Sequence, residues 1–411
     1  MDPQTEAEQI AQEVDLATLQ CEIDQLSKEI KLKTVRDEFS KWLYLPQMDV
    51  LDVILATCCS VRYTDDPLWL FLVGPPSSGK TELLRAMYAQ DNIIVDSLTA
   101  HTLVSGLRRV TAADPSLFSR INNKTLVIKD FTNILSLQRE DASLIYAQLR
   151  NAYDGYYTFS CGTFSPPVTY LTHFALCAGV TSIIDHHWSV RRMLGERFLY
   201  WRLPLVDEIE LSKAMLKNRQ RYPQMRRQLM IHAGAFLQKY KDLVNKVARP
   251  QRSEEMTKQL TELAIMATKL RSPVYRDEYT REIMDYPEKE GLLRLLGQLC
   301  LLGEALCLIR EKTVFGPDEY KILYKTAVDT IPPSRWALIK ELAVGSLSVT
   351  SELAERVDLP TTTCRRNLED LTALHVCQRF GDNPHQWCLD EEFLNYYEAT
   401  KPEQAKNVAS L

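Results

Sequence analysis

The apolar positions of this chain form short unbroken runs between residues 39 and 205, separated by segments with helical spacing. The clearest runs are LWLFLVG (68–74), NIIVD (92–96), TLVIKDF (125–131) and FALCAGVT (174–181). Short continuous apolar runs are typical of strands that are buried on both faces, as in a parallel sheet covered by helices. The pattern therefore predicts an α/β domain with a largely parallel sheet.

The segments on either side of this domain have a helical pattern. Residues 1–38 are polar, with apolar residues spaced by three and four from Leu16 to Ile30, which fits a short coiled coil or a helix packed on its own domain. Residues 206–330 are rich in Lys, Arg, Glu and Leu, and TIPPSRW (330–336) interrupts the pattern. The predicted domains are an N-terminal helical segment (1–38), an α/β core (39–205), a helical subdomain (206–330), a compact final unit (331–395) and a flexible tail (396–411).

Composition excludes several classes of protein. With 411 residues, 45% of them hydrophobic and 25% charged, the chain can bury a substantial core in two or three domains. The net charge of -5 means that contact with nucleic acid needs a local basic patch. Scattered cysteines without a CxxC pair predict reduced thiols, not disulfides. The acidic N-terminus is not a signal peptide and no apolar run approaches a membrane span of roughly 20 residues, so we expect a cytoplasmic protein without membrane contact.

The stretch GPPSSGKT (74–81) lies between a predicted strand and a predicted helix and satisfies the pattern GxxxxGK[ST]. In such a loop, glycines let backbone N–H groups converge on a phosphate chain, and the following helix N-terminus adds positive potential. Lys80 would contact the β and γ phosphates and the Thr81 hydroxyl would ligate Mg²⁺. The alternative is a serine-rich turn. The motif predicts ATP and Mg²⁺ as ligands, with nucleotide contacts from Gly74, Pro75, Ser77, Ser78, Gly79, Lys80, Thr81 and Glu82.

A metal-bound phosphate chain also needs an acidic group at the end of a neighbouring strand, and TLVIKDF supplies Asp130 there. ATPases usually carry a glutamate directly after this aspartate to polarise water, but the chain has Phe131. Hydrolysis therefore has weaker support than binding. Asp130 itself, Glu140 or Asp141 would position the water, or Asp130 is simply a solvated strand end.

These features resemble the AAA+ ATPases. GPPSSGKT is similar to the family's GPPGTGKT, with Ser77 in place of a glycine. FALCAGVT resembles the strand that carries the polar sensor-1 residue, which implies this role for Thr181. LGERFLYWRLP (194–204) resembles the arginine-finger segment, which implies Arg197 as the finger, with Arg191 and Arg192 as alternatives.

The resemblance has further implications. LRNAYDGYYTFSCGT (149–163) is similar in position to the pre-sensor hairpin of the minichromosome-maintenance helicases. Residues 206–330 would be the family's helical lid, with Arg294 as its sensor-2 arginine and Arg271 as the alternative, unless these arginines lie on a solvated face. A finger arginine from a neighbouring subunit makes hydrolysis depend on assembly. The resemblance thus implies a homo-oligomeric ring, most simply a hexamer, with Lys80, Asp130, Thr181, Arg197 and Arg294 as its catalytic residues.

The segment from SRWALIK to HQWCL resembles a winged helix-turn-helix. Within TTTCRRNLEDLTALH, Cys364, Leu368 and Leu371 form a buried stripe, and the opposite face carries hydroxyls and arginines suited to DNA phosphates and base edges. The following hairpin would be the wing. Winged helices also serve as protein-interaction modules. The predicted DNA contacts are Thr362, Thr363, Arg365, Arg366, Arg379 and His385.

The first hypothesis is an ATP-dependent, DNA-associated AAA+ motor, a helicase or helicase loader in DNA replication or mobile-element maintenance. The second is an ATP-dependent DNA-binding switch, such as a transcription regulator, without motor activity. Phe131 favours this second hypothesis. A protein remodeller whose winged helix binds a partner protein is a third.

Overall fold

The structure is a computed structural model, and the described residues are 16–89, 91–105, 114–160, 167–185, 194, 196–205, 207–241, 247–277, 279–284, 291–345, 347–381 and 384–402. The chain forms two compact units. Among the described residues, the first unit contains those up to Phe198, Arg202–Arg249 and Ala305–Thr313. The second unit contains Leu199–Trp201, Pro250–Glu304 and those from Val314 onward. The predicted domain boundaries remain predictions.

A five-stranded parallel sheet organises the N-terminal half, which confirms the predicted α/β core. The strands up to residue 202 are β1 (Trp69–Val73), β2 (Asn92–Val95), β3 (Lys124–Ile128), β4 (Tyr156–Phe159), β5 (Val168–Leu171), β6 (Phe174–Val180) and β7 (Phe198–Arg202). The sheet has the order β2-β3-β6-β1-β7, whereas β4 and β5 form a separate antiparallel pair. Val73 pairs with Val180, and Ile128 pairs with Ala178. The carboxyl ends of β1, β3 and β6 therefore lie at one edge of the sheet.

Helices surround this sheet. Those up to residue 241 are α1 (16–27), α2 (Leu32–Trp42), α3 (Asp49–Ser60), α4 (Lys80–Arg85), α5 (Thr132–Leu135), α6 (Arg139–Ala152), α7 (Glu208–Asn218) and α8 (Tyr222–Lys241). On α1, Leu19 and Ile23 are buried, and an ideal Cβ at Gly234 of α8 would lie 2.9 Å from Ile23 Cδ1. Gln20 Nε2 also donates a hydrogen bond to Gln238 Oε1 at 3.1 Å. The apolar stripe of α1 thus packs on its own unit, the second of the two sequence alternatives.

The core of the first unit includes a carboxylate held by two arginines. Asp52 on α3 is fully buried, and its Oδ1 accepts a hydrogen bond from Arg36 Nε at 2.8 Å. Arg310 Nε donates to Asp52 Oδ2 at 2.9 Å. Arg310 belongs to the short segment 305–313, which returns to the first unit after residues 250–304 have formed part of the second.

The second unit combines helices with a small antiparallel sheet. The elements from residue 254 onward are α9 (Glu254–Arg271), α10 (Leu292–Ile309), α11 (Pro317–Asp329), α12 (Pro333–Val344), β8 (Ser348–Val349), α13 (Thr350–Arg356), α14 (Thr361–Ala373), β9 (Cys377–Phe380), β10 (Gln386–Leu389) and α15 (Glu391–Ala399). The sheet has the order β8-β10-β9, and α14 packs against α12 and α13. Cys364, Leu368 and Leu371 are fully buried, which confirms the predicted stripe on α14.

One helix corrects the expectation that no apolar run approaches the length of a membrane span. Helix α10 has 18 residues with a mean hydropathy of 1.8, long and apolar enough to cross a membrane by length and composition. However, 67% of that window is buried inside the structure, as in the core helix of a soluble protein. Cytoplasmic location remains a prediction.

Candidate functional site

The loop after β1 has the backbone conformation that its glycines and serines allow. Gly79, which precedes α4, has a φ of 85°, and Ser77 has a φ of 62°. A Cβ at Gly74 would lie only 2.9 Å from Ser78 Oγ. Ser77 thus adopts the left-handed conformation at the position where the AAA+ motif has glycine, at a cost of about 1–2 kcal/mol. The replacement preserves the turn but strains it.

Lys80 lies inside this loop. Its Nζ donates hydrogen bonds to Gly74 O at 2.7 Å, Pro75 O at 2.6 Å and Ser78 Oγ at 3.1 Å. The residue is 9% exposed, and this burial lowers the pKa of Lys80, while the nearby Asp130 charge acts in the opposite direction. The ammonium group therefore lies among the loop carbonyls, within the electrostatic influence of Asp130.

Hydrogen bonds connect the ends of β3 and β6 at the same sheet edge. The N–H of Thr132 donates to Asp130 Oδ1 at 2.9 Å, and the N–H of Thr181 donates to Thr132 Oγ1 at 3.2 Å. The fold thus brings Asp130 and Thr181 together, with Lys80 close enough to Asp130 for their charges to interact. Thr132 could not be identified from the sequence, because a threonine at the start of a short helix gives no signal without its partner.

Phe131, in contrast, points into the core. It is fully buried, and its ring centroid lies 4.9 Å from that of Phe71 and 6.4 Å from that of Tyr146. The position where ATPases usually carry a glutamate is thus an apolar packing position here. Glu140 and Asp141 are exposed in the first turn of α6, and no hydrogen bond or ion pair of the described residues connects either to Asp130.

Glu82 is held by an arginine that the sequence reasoning did not identify. Arg226 on α8 donates from Nε to Glu82 Oε2 at 3.0 Å and from Nη2 to Glu82 Oε1 at 2.7 Å. These hydrogen bonds raise the pKa of Arg226. A second cation therefore lies beside the first turn of α4, where it neutralises a carboxylate close to the phosphate loop.

Arg197, the proposed arginine finger, is buried within its own chain. The residue is 9% exposed, its Nη1 donates to Leu194 O at 2.7 Å, and its guanidinium lies 5.4 Å from the ring centroid of Tyr153. A finger must reach a phosphate bound to a neighbouring subunit, and this role of Arg197 remains a prediction. The alternatives Arg191 and Arg192 lie outside the described residues.

The two sensor-2 candidates both belong to the second unit. Arg294 is exposed on the first turn of α10, whereas Arg271 is fully buried at the end of α9. The proposed contact of either arginine with the nucleotide remains a prediction.

Strand β4 lies within the segment likened to the pre-sensor hairpin and pairs with β5, which follows that segment. Tyr156 and Leu171 pair across these two strands and are 60% and 63% exposed. Residues 161–163 of that segment lie outside the described part of the chain.

The predicted DNA contacts lie on α14 and on the hairpin that follows it. Thr362, Arg365 and Arg366 are exposed, and Arg379 is exposed on β9. The remaining two are less accessible. Thr363 is half-buried, and His385 is half-buried with its Nδ1 donating to Gly381 O at 2.8 Å.

Among the residues that the structure describes, no group of three or more His, Cys, Asp or Glu side chains could hold a metal ion. A magnesium site of the phosphate-loop type needs a hydroxyl and one carboxylate. Thr81 is exposed on the first turn of α4, and Asp130 is half-buried at the sheet edge. No protein-family model matches this chain, and no curated protein matches it.

Proposed function

We propose that the chain is an ATP-dependent, DNA-associated protein of the AAA+ type. The observation that carries the proposal is the convergence of the Lys80 loop, Asp130 and Thr181 at one edge of the parallel sheet. Ligands of α/β proteins commonly bind at the carboxyl ends of parallel strands.

The residues at this edge fit a nucleotide with its metal. A Cβ at Gly74 would crowd Ser78, and Gly79 has a φ that favours glycine, so the loop backbone can approach a phosphate closely. Lys80 and the N–H groups at the start of α4 would bind the phosphates. Thr81 and Asp130 would hold Mg²⁺, which when bound would neutralise phosphate charge.

DNA association is supported by the final part of the second unit. Helix α14 buries one stripe against α12 and α13 and exposes Arg365 and Arg366 on the other side. The three-stranded sheet places a further exposed arginine, Arg379, on β9. A helix followed by a hairpin is the arrangement of a winged helix-turn-helix, which reads DNA through its second helix.

Two activities fit this arrangement. The AAA+ resemblance favours a ring-forming motor, a helicase or helicase loader. The second candidate, a nucleotide-controlled DNA-binding switch, is favoured by Phe131, because its buried ring occupies the position of the usual catalytic glutamate. Both candidates bind ATP, and they differ in turnover.

Calorimetric titration with ATP, ADP and GTP in the presence of Mg²⁺ tests the nucleotide site. We expect ATP binding by the wild-type protein, its loss in Lys80→Ala, and its retention in the control Lys321→Ala, which removes an exposed lysine from α11. A folded wild-type protein that binds none of the three nucleotides would refute the proposal.

Turnover with and without single-stranded or duplex DNA, together with a strand-displacement assay, separates the two candidates. DNA-stimulated hydrolysis with strand displacement supports the motor. ATP binding that changes DNA affinity without turnover, at any protein concentration, supports the switch.

A further inference from the structure

A short hairpin from outside the helix-turn-helix region docks on helix α14. Residues 275–277 and 279–284, here called the 275–284 hairpin, are linked by an antiparallel bridge between Arg276 and Ile283 and by a hydrogen bond from Met284 N–H to Tyr275 O at 3.0 Å. Asp277 Oδ1 closes the turn by accepting hydrogen bonds from two backbone N–H groups, at 2.8 and 2.7 Å. The turn is thus fixed by its own hydrogen bonds.

Arg276 anchors this hairpin to α14. Its Nε donates to Asp370 Oδ1 at 2.8 Å, and its Nη2 donates to Arg366 O at 3.0 Å and to Glu369 Oε2 at 3.1 Å. Its Nη1 donates to Arg281 O at 2.7 Å, so the same guanidinium also holds the tip of the hairpin. The hairpin therefore has a defined position along the flank of α14.

A cavity of about 770 Å³ is lined by the hairpin, α14 and β9. Five arginines and two glutamates contribute to its lining, an excess of positive charge in a chain whose net charge is -5. Arg276 and Arg365 lie close to Glu369. Among the described residues, no carboxylate lies within ion-pair distance of Arg281, Arg366 or Arg379, and all three are exposed.

Arg281 at the hairpin tip has an unusual backbone conformation. Its φ of 62° is in the left-handed region that favours glycine. A bulky residue at such a position is uncommon, and backbone strain of this kind is concentrated at functional sites. Glycine would satisfy the turn without this strain.

We infer that the 275–284 hairpin is a second DNA-contacting element, in which Arg281 binds a phosphate of a duplex lying on α14 and Arg276 is the positioning residue. The inference rests on the proposed DNA binding by α14. The excess of arginines favours a polyanion such as the phosphate backbone of DNA, and Arg379 of β9 adds a further exposed cation to the lining of the same cavity.

The test compares the full-length protein with Arg281→Gly, titrated into a short fluorescent duplex of mixed sequence over a range of salt concentrations. Glycine suits the φ of 62°, so the hairpin is retained and the melting temperature should not fall. Loss of one phosphate contact makes the plot of log affinity against log salt concentration less steep by about 0.9. The ratio of the wild-type affinity to the variant affinity should therefore fall about 3.5-fold when the salt concentration rises from about 50 to 200 mM. Arg281→Lys should retain the wild-type slope, as should the control Lys321→Ala.

Arg276→Ala tests the positioning role. We expect it to reduce the salt slope of DNA binding in the wild-type background but to leave the slope of Arg281→Gly unchanged, because Arg276 holds the hairpin tip and contacts no phosphate itself. If Arg276 only stabilised the fold, its replacement would change DNA binding by the same amount in both backgrounds.

The outcomes separate this inference from the proposed function. If wild type shows no salt-dependent duplex affinity, DNA binding itself is refuted and the inference with it. If Arg365→Ala with Arg366→Ala abolishes binding while Arg281→Gly keeps the wild-type slope, only the hairpin contact is refuted. Equal competition by an acidic peptide would also overturn the assignment to DNA.

Discussion

Replacing Gly179 with alanine should destabilise the first unit and weaken nucleotide binding together. Gly179 lies on β6, and an ideal Cβ there would be 2.7 Å from Lys129 O and 3.2 Å from Leu84 Cδ1. Lys129 O is a backbone atom next to Asp130, so it can give way only if the end of β3 moves. Leu84 belongs to the helix that follows the phosphate loop. The added methyl group therefore pushes on both parts of the candidate site.

The expected magnitude combines two opposing terms. An extra methyl group in a close-packed core costs about 1–3 kcal/mol. Alanine also reduces the freedom of the unfolded chain, which returns about 0.4–1 kcal/mol. The midpoints of these two ranges give a net loss of about 1.3 kcal/mol, which corresponds to a fall in melting temperature of about 3–5 °C for a unit of this size.

Calorimetric melting, with and without ATP and Mg²⁺, measures both effects. Gly297 on α10 provides the matched control, because a Cβ there meets no atom within 4 Å, and alanine in a helix should be neutral or stabilising. A Gly179→Ala protein that melts at or above the wild-type temperature would refute the steric reasoning. A lower melting temperature with unchanged ATP affinity would refute the link between Gly179 and the site.

Three other predictions concern charged groups. ATP affinity should fall as pH rises through the pKa of Lys80. Because burial lowers that pKa, the fall should begin below 10.5, and calorimetry from neutral to alkaline pH measures it. Arg226→Ala should weaken ATP binding about two- to fivefold, because Glu82 then keeps only its longer ion pair with Arg85 and its negative charge lies close to the phosphates, and adding Glu82→Gln should restore binding. Asp390 caps α15, so Asp390→Ala should cost the second unit about 1 kcal/mol in thermal unfolding, and Asp390→Asn much less. A hydrogen bond from Gln378 lowers the pKa of Asp390, so this contribution is present at neutral pH and lost as pH falls through the lowered pKa.

The fold was predictable where its determinants are local. Strands β1 and β6 are buried along their whole length, so their apolar runs were visible in the sequence. The strand order β2-β3-β6-β1-β7 could not be predicted from the sequence, because it depends on pairing between segments far apart in the chain. The stripe of Cys364, Leu368 and Leu371 was predictable because it has the helical period.

The residues of the candidate site could likewise be predicted only where they lie close together in the sequence. The phosphate loop is a contiguous motif, so its residues could be named in advance. Arg226 could not, since it reaches Glu82 across 144 positions. The burial of Arg197 could not be predicted either, because it depends on packing against Tyr153 that no local pattern encodes, and its role as a finger remains a prediction. The role of Arg276 likewise depends on a docking contact with α14.

The return of residues 305–313 to the first unit affects how the chain is made. A ribosome releases Asp52 long before Arg310, and domains generally fold as units during synthesis. Until Arg310 emerges, the Asp52 carboxylate has Arg36 but lacks its second arginine. A nascent or truncated chain ending near residue 249 would hold an incompletely compensated buried charge, so the N-terminal half is best expressed together with the segment through residue 313.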